Sequence, residues 1–204
     1  MPRKPPNRRN VKGAITPTAN AAADERERAK DFLSEGEITA LLSAAKAGRH
    51  GARDHLLLLV MFRHGLRVSE AVAFRRDEVD LDRARLWVLR LKGGLSVEQP
   101  IAGDELRAFR RYLAEREDAL PWLFISERGH PLTRQSVNYL VGTAAHRAGL
   151  APVHPHMLRH SCGFALANKG YDLRLIQDYL GHRDPRHTVH YTRTAGHRFE
   201  GLWR

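Results

Sequence analysis

HPHMLRHSCGFALANKGYDLRLIQDYLGHRDPRHTVHY, residues 154–191, is the stretch that decides how this 204-residue chain folds. Pro155 can open a helix, because its missing amide would be unpaired at that position in any case. Gly170 would end this helix, and the side chain of Asp172 can cap the first amides of the next one. Gly181 would end the second helix. The stretch therefore predicts two consecutive helices followed by a histidine-rich segment.

The same stretch carries side chains that suit attack on a phosphodiester. His156 and Arg159 are three positions apart on the first predicted helix, so both point the same way. His182 lies just past the second helix, and Tyr191 follows it. A tyrosine phenol has an ordinary pKa of about 10 and needs a base at neutral pH, a role that the imidazole of His156 can fill. Tyr191 is thus a candidate nucleophile.

Two basic residues upstream extend this set. Arg67 stands at a predicted helix start, and Lys92 stands at the tip of a predicted hairpin. Guanidinium groups bind phosphate oxygens through two parallel hydrogen bonds, so Arg67 and Arg159 are candidate clamps for a phosphate that gains charge. Lys92 can give a proton to the departing 5′ oxygen, and His182 can donate one more hydrogen bond. Because the two arginines supply the electrostatic stabilisation, the reaction needs neither a metal ion nor a cofactor.

The rest of the chain predicts an α+β fold that is mainly α, with one small antiparallel sheet. Strand formers over 85–91, a turn at Lys92-Gly93-Gly94 and a return strand over 96–101 indicate a β-hairpin. Trp87, Leu89 and Leu91 are expected to pack this hairpin on the helices. Apolar periodicity and capping residues predict further helices over about 35–47, 52–64, 68–74, 104–117 and 134–148.

The two ends of the chain differ in composition. Residues 1–30 are rich in Pro, Asn, Arg, Lys and Ala and have no apolar period, so we expect a disordered basic arm. Residues 31–204 carry the predicted helices and all the candidate catalytic side chains, so we expect a single catalytic domain there. The short amphipathic segment 199–203 would pack either on its own domain or on a neighbouring protomer.

The charge of the chain favours a polyanionic partner. The formal net charge is +11 and the pI is near 10.5. The longest dense apolar run, 56–62, is far shorter than the roughly 20 residues of a membrane span. No apolar core follows the basic N-terminus, so it does not predict a secretory signal, and Cys162 is the single cysteine. We expect a cytoplasmic, nucleoid-associated protein that binds nucleic acid and not a membrane.

In combination, these motifs resemble those of the tyrosine recombinases, also called the phage integrase family. The motifs are His156-Met-Leu-Arg159-His160, Leu180-Gly-His182 and Tyr191, with Arg67 and Lys92 upstream. The resemblance covers about residues 32–204. Within the family, the chain looks most similar to the fimbrial phase-variation invertases, short members that flip a promoter-bearing DNA segment.

The resemblance implies a set of catalytic residues and a role for each. The set is Arg67, Lys92, His156, Arg159, His182 and Tyr191. Tyr191 matches the nucleophile that forms a 3′-phosphotyrosyl link and frees a 5′ hydroxyl, and Lys92 matches the general acid. Glu70 matches an acidic residue that helps to hold the site. His160 lies on the same helix as Arg159, and we expect it to be a supporting hydrogen-bond partner. The bond energy is kept in the protein–DNA link, so the resemblance implies no need for ATP.

The resemblance also implies partners. The family acts on double-stranded DNA as a tetramer on paired sites, so we expect a homotetramer, with accessory DNA-bending proteins as further partners. Tyr191 is then expected to be competent only when DNA and a partner protomer position it. An isolated protomer can hold it away from the arginine pair.

Other interpretations stay open at this point. The chain could be a DNA-binding regulator that has kept the fold and lost cutting, or a type IB topoisomerase, which shares the covalent chemistry but not the pairing of sites. His182, His187 and His190, with Cys162 nearby in sequence, could suggest zinc. Their spacing matches no zinc signature, so no metal site is predicted.

Overall fold

The computed structural model describes residues 31–91 and 93–193 of the chain. This part contains eight α-helices and three short strands. In chain order the helices are α1 (Glu35–Lys46), α2 (Gly51–Arg63), α3 (Val68–Ala73), α4 (Gly103–Ala114), α5 (Arg134–Arg147), α6 (Pro155–Asn168), α7 (Leu173–Leu180) and α8 (Arg186–Arg193). The strands are β1 (Val79–Asp80), β2 (Arg85–Val88) and β3 (Val97–Pro100). The predicted mainly α fold is confirmed.

Helix α2 is the centre of the fold. Its segment Leu56–Met61 is apolar at every position and wholly buried, as expected for a helix that is covered on all sides. Helices α1, α4 and α6 pack against it. Helix α1 begins with the capping box that the sequence predicts, in which the Ser34 side chain accepts from the Glu37 amide and Glu37 reaches back to the Ser34 amide. The core of the domain therefore forms around one helix.

The sheet has three antiparallel strands in the order β1-β2-β3. Leu86 pairs with Gln99 and Val88 with Val97, so β2 and β3 form the predicted hairpin. The hairpin ladder ends at Val88, earlier than the predicted Leu91. The sequence did not predict β1, because a strand of two residues has no alternation of its own.

The prediction that Trp87, Leu89 and Leu91 pack the hairpin on the helices is wrong for the first two. Trp87 is 46% exposed and Leu89 is 49% exposed, whereas Leu86 and Val88 are buried. Side chains alternate between the faces of a strand, so a shift of one position exchanges the two sets. Leu86 and Val88 join the main core, and Trp87 lies on the opposite face.

A second, smaller apolar cluster lies where α6, α7 and α8 meet. Its buried members are Cys162, Phe164, Ala167, Ile176, Leu180 and Tyr191. The helices α6 and α7 end as predicted from Gly170 and Gly181, and the Asp172 side chain accepts from the Leu175 amide. Helix α8 was not predicted from the sequence. The pair Asp184-Pro185 was a signal for a helix start, and in the structure the Asp184 side chain accepts from the Arg186 amide.

Several predictions concern residues outside the described part of the chain. They are the basic arm over 1–30, Lys92 at the hairpin tip and the terminal segment 199–203. Among residues 31–91 and 93–193, no helix combines the length and the apolar character that a membrane span requires.

Candidate active site

Tyr191 is held inside the domain by α6. It lies on α8, is 1% exposed, and packs edge-on against the ring of Phe164 with 5.2 Å between ring centroids. Its hydroxyl lies 3.1 Å from Nδ1 of His160. Burial raises the pKa of the Tyr191 phenol, while the charge of Arg159 acts in the opposite direction. In this position Tyr191 is a neutral phenol and cannot attack without a base.

Gly163 makes room for the Tyr191 ring. A β-carbon at position 163 would lie 2.6 Å from Cζ of that ring, closer than real contacts allow. The position is in the middle of α6, where a glycine costs helix stability relative to alanine. Position 163 is therefore a glycine because a larger side chain would collide with the ring of Tyr191.

The ring of His182 also lies near Tyr191. The two rings are nearly parallel, with 6.4 Å between their centroids. Nδ1 of His182 lies 2.8 Å from the Thr188 hydroxyl, which fixes the orientation of the ring. Burial and the charge of Arg159 lower the pKa of His182 to about 3. His182 is therefore neutral at pH 7, and a neutral imidazole can act as a hydrogen-bond donor.

Arg159 is buried with its guanidinium between two main-chain segments. It is 1% exposed and donates to the carbonyl oxygens of Gly65 and Leu180, the latter at 2.8 Å. Burial and the neighbouring charge of Arg90 lower the pKa of Arg159 to about 10. It therefore keeps its positive charge at pH 7. A guanidinium has five N–H donors, so these two bonds leave others for an anion.

Glu70 links two further arginines. Its Oε1 accepts from Nη1 of Arg67 at 2.8 Å, and its Oε2 accepts from the Arg67 amide at 2.9 Å and from Nη1 of Arg90 at 3.0 Å. Burial alone would raise the pKa of Glu70, but the Arg67 amide and the charge of Arg90 outweigh it and lower the pKa. The Arg67 side chain stays 31% exposed, so it can reach a ligand from this anchored position.

Arg90 is a residue of this site that the sequence analysis missed. Its side chain is 0% exposed and donates to the carbonyl oxygens of His64 at 2.7 Å, Gly65 at 3.1 Å and Tyr179 at 2.9 Å. The Gly65 carbonyl thus accepts from both Arg90 and Arg159. No sequence motif marked Arg90, which stood in a predicted strand. A charged residue among strand formers was the only available signal.

The predicted base, His156, is not the histidine that contacts the Tyr191 hydroxyl. His160, predicted as a supporting residue, contacts the Tyr191 hydroxyl, and His156 packs edge-on against His160 with 4.3 Å between ring centroids. Burial and the neighbouring His156 lower the pKa of His160 to about 4. His160 is therefore neutral at pH 7 and can accept a proton from the phenol.

The structure therefore brings most of the predicted site together. The described candidates are Arg67, Glu70, His156, Arg159, His160, His182 and Tyr191. Arg67 and Arg159 both act electrostatically on His182 and on Tyr191. A cluster of fixed cations and neutral imidazoles around a phenol can bind a phosphodiester and stabilise the charge that develops on its oxygens during attack.

The sequence and the structure both match known proteins. The model of the phage integrase family matches residues 31–198. The chain is 46% identical to the type 1 fimbriae regulatory protein FimB of Escherichia coli K12, over 89% of this chain and 92% of that protein. It is 44% identical to FimE of the same strain, over 84% and 90%. It is 37% identical to tyrosine recombinase XerD of Ralstonia nicotianae, over 89% and 62%.

Two solved structures share the fold. XerA recombinase superposes with a TM-score of 0.71 at 28% identity, over 79% of this chain and 59% of that one. The XerH site-specific recombinase, in a post-cleavage complex with a palindromic difH substrate, gives a TM-score of 0.72 at 26% identity, over 83% and 51%. The chain belongs to the phage integrase family.

Proposed function

We propose that this chain is a site-specific DNA recombinase that cuts and rejoins DNA through a 3′-phosphotyrosyl intermediate at Tyr191. The observation that carries the proposal is the contact of the Tyr191 hydroxyl with His160, near the parallel ring of His182 and within the electrostatic influence of the buried Arg159. The similarity to FimB and FimE, both over most of their length, supports the same conclusion.

The proposed chemistry is a transesterification at phosphorus. The Tyr191 oxygen attacks the scissile phosphate, the bond to the 5′ oxygen breaks, and Lys92 protonates that oxygen. In the reverse direction, a 5′ hydroxyl of the partner strand attacks the phosphotyrosine and releases the Tyr191 phenol. Two phosphodiester bonds are broken and two are made in each strand exchange, so the scheme needs no ATP. The two arginines take the electrostatic role of a metal ion.

The proposed task of the arginines is to stabilise the charge on the phosphate oxygens. Arg159 is held by two carbonyl oxygens, so its remaining donors have a fixed direction. Arg67 is anchored by Glu70 and partly exposed, which suits a residue that meets the DNA from the protein surface. His182 adds a neutral hydrogen-bond donor beside them.

The proposed base is His156, as its imidazole chemistry predicts, with His160 in support. The contact between His160 and the Tyr191 hydroxyl favours a second assignment, in which His160 takes the proton and His156 binds the phosphate. Tyr191 is buried in this arrangement, so we propose that DNA and a partner protomer move α8 to bring the phenol to the phosphate. The two assignments differ in which histidine governs the pH dependence of cleavage.

The proposed assembly is a homotetramer on two paired DNA sites, with inversion or integration of a DNA segment as the outcome. The similarity to the fimbrial proteins favours inversion, and accessory DNA-bending proteins are proposed as partners. A protein with this task would act on DNA in the cytoplasm, at the nucleoid.

A plasmid assay tests the function. Short inverted repeats near the gene are cloned in inverted and in direct orientation, the protein is supplied, and the products are read by sequencing across the junctions. We expect inversion between inverted copies and excision between direct copies, both without added metal or ATP. Binding of the repeats without any rearrangement would indicate a DNA-binding regulator. Relaxation of supercoils without exchange would indicate a topoisomerase.

A further inference from the structure

Three side chains of types that can bind a metal ion lie together near Tyr191. A carboxylate oxygen of Asp31 and ring nitrogens of His160 and His190 are all within 4.8 Å of one another. They come from three separate segments, namely the residues before α1, helix α6 and helix α8. Neither Asp31 nor His160 belongs to the zinc set considered from the sequence, which was His182, His187 and His190 with Cys162. Asp31 is distant from α6 in the sequence, and only the fold brings it there.

The orientation of the His160 ring suits a metal ligand. Its Nδ1 faces the Tyr191 hydroxyl at 3.1 Å, so the other nitrogen, Nε2, faces Asp31, whose Oδ2 is 3.7 Å away. A histidine that binds a metal through one nitrogen nearly always has a hydrogen-bond partner at the other, which holds the ring in place. At His160 the Tyr191 hydroxyl already fills that role.

The donor set selects the kind of ion. Two imidazole nitrogens and one carboxylate oxygen suit Zn²⁺, Co²⁺ or Ni²⁺, whereas Mg²⁺ and Ca²⁺ require mostly oxygen ligands. Zinc–nitrogen bonds of about 2.0–2.1 Å bring tetrahedral ligands to about 3.3 Å from one another. The donor atoms lie within 4.8 Å of one another, so no pair must approach by more than about 1.5 Å. The Asp31 side chain is 51% exposed and can rotate to shorten the 3.7 Å distance from its Oδ2 to Nε2 of His160.

We propose that Asp31, His160 and His190 bind one divalent ion of the zinc type, and that this ion fastens α8 to α6 with Tyr191 in its buried position. His190 precedes Tyr191 in α8, with 4.1 Å between the two ring centroids, and His160 bonds to the Tyr191 hydroxyl. An ion that holds both histidines therefore also restrains the Tyr191 ring, which contacts both of them. In the recombinase proposed above, the occupied site would slow strand cleavage, a consequence that rests on the proposed function.

Calorimetry tests the site without DNA. Metal-free full-length protein is titrated with ZnCl₂, together with the variants His190→Ala and Asp31→Asn, and His146→Ala serves as the control because it removes an exposed histidine of α5. We expect one site in the native protein and in the control, and at least about tenfold weaker binding at that site in the two variants. Equal affinity and stoichiometry in all four proteins would overturn the proposal.

Hydrogen exchange and cleavage test the link to Tyr191. Zn²⁺ is expected to slow amide exchange in α8 of the native protein and to leave the His190→Ala variant unchanged. Equal exchange with and without bound Zn²⁺ would overturn the fastening of α8. Zn²⁺ is also expected to inhibit cleavage by the native protein more than by Asp31→Asn, with recovery after EDTA. A metal-free protein that never cleaves DNA would count against the proposed function. Calorimetry and hydrogen exchange would still show whether the metal site exists, because neither measurement depends on cleavage.

Discussion

Gly163 and Tyr191 are in direct contact, and a β-carbon on the glycine would lie 2.6 Å from the tyrosine ring. The buried position of Tyr191 therefore depends on the absence of a side chain at Gly163, one turn after Arg159 on the same helix. Any larger residue at 163 must push the ring of Tyr191, and with it α8, away from α6.

The variant Gly163→Ala tests this contact. We expect it to lower the free energy of unfolding by about 1–3 kcal/mol, because the added methyl overpacks the interface. Gly142→Ala is the matched control, since it lies in α5 with nothing within 4 Å of the added carbon. That control is expected to be neutral or to stabilise by up to about 1 kcal/mol. Urea denaturation measures both, and equal effects would refute the contact.

Glu70 is the counter-ion of two arginines, so removing its charge should be costly. We expect Glu70→Gln to lower the free energy of unfolding by about 3 kcal/mol, because a buried Arg90 then has no opposing charge. The exposed Glu98→Gln is the control and should change stability by less than about 0.5 kcal/mol. A variant at position 70 that unfolds like the control would contradict this account of the network.

The same carboxylate predicts a dependence of stability on pH. The pKa of Glu70 is lowered in the folded state, so its contribution is complete above the unfolded value of about 4.3 and is lost as the pH falls towards the folded value. Acidification should therefore lower the stability of the native protein by more than it lowers the stability of the Glu70→Gln variant. Denaturation curves at about pH 6 and about pH 3 measure the difference. Equal losses of stability in the native protein and in Glu70→Gln would contradict the prediction.

Arg90 is expected to act as a positioning residue. It donates to the Gly65 carbonyl that also accepts from Arg159, so the variant Arg90→Lys keeps the charge but loses the fork that orders this carbonyl. We expect cleavage to slow at saturating DNA while DNA affinity changes little. The exposed Arg85→Lys is the control. Equal loss of affinity and rate at position 90 would indicate a role in DNA binding instead.

His160 and His182 are expected to be neutral at pH 6. Burial, the main cause in each case, lowers their pKa values to about 4 and about 3, whereas an unfolded histidine titrates at about 6.5. The contribution of these neutral imidazoles to stability is then complete above about pH 6.5. It is lost as the pH falls towards their pKa values in the folded protein. Ring proton shifts in an NMR titration measure this directly, and a midpoint above pH 6 for either ring would be the contrary result.

The sequence predicted helices α6 and α7 well because their caps are local. Pro155, Gly170, Asp172 and Gly181 act within a few residues of their own positions, and the structure has both helices. The face of β2 was predicted wrongly at Trp87, because alternation gives two sets of side chains and only the tertiary packing selects between them.

The missed parts of the site depend on distant segments. Arg90 is buried because carbonyl oxygens of His64, Gly65 and Tyr179 converge on it, and these lie 25 to 89 positions away in the chain. The contact between His160 and Tyr191 likewise depends on how α8 folds back on α6. The spacing in the sequence predicted which residues belong to the site. Which of these side chains contact one another could be seen only in the fold.

Tyr191 is expected to form the covalent bond to DNA. The most direct measurement is mass spectrometry of the adduct trapped on a nicked suicide duplex that carries the recombination site, with Tyr191→Phe and the control Tyr139→Phe, whose tyrosine is 73% exposed on α5. We predict an adduct on Tyr191 in the native protein and in the control, and none in Tyr191→Phe. An adduct that persists in Tyr191→Phe, or one mapped to another residue, would contradict the account.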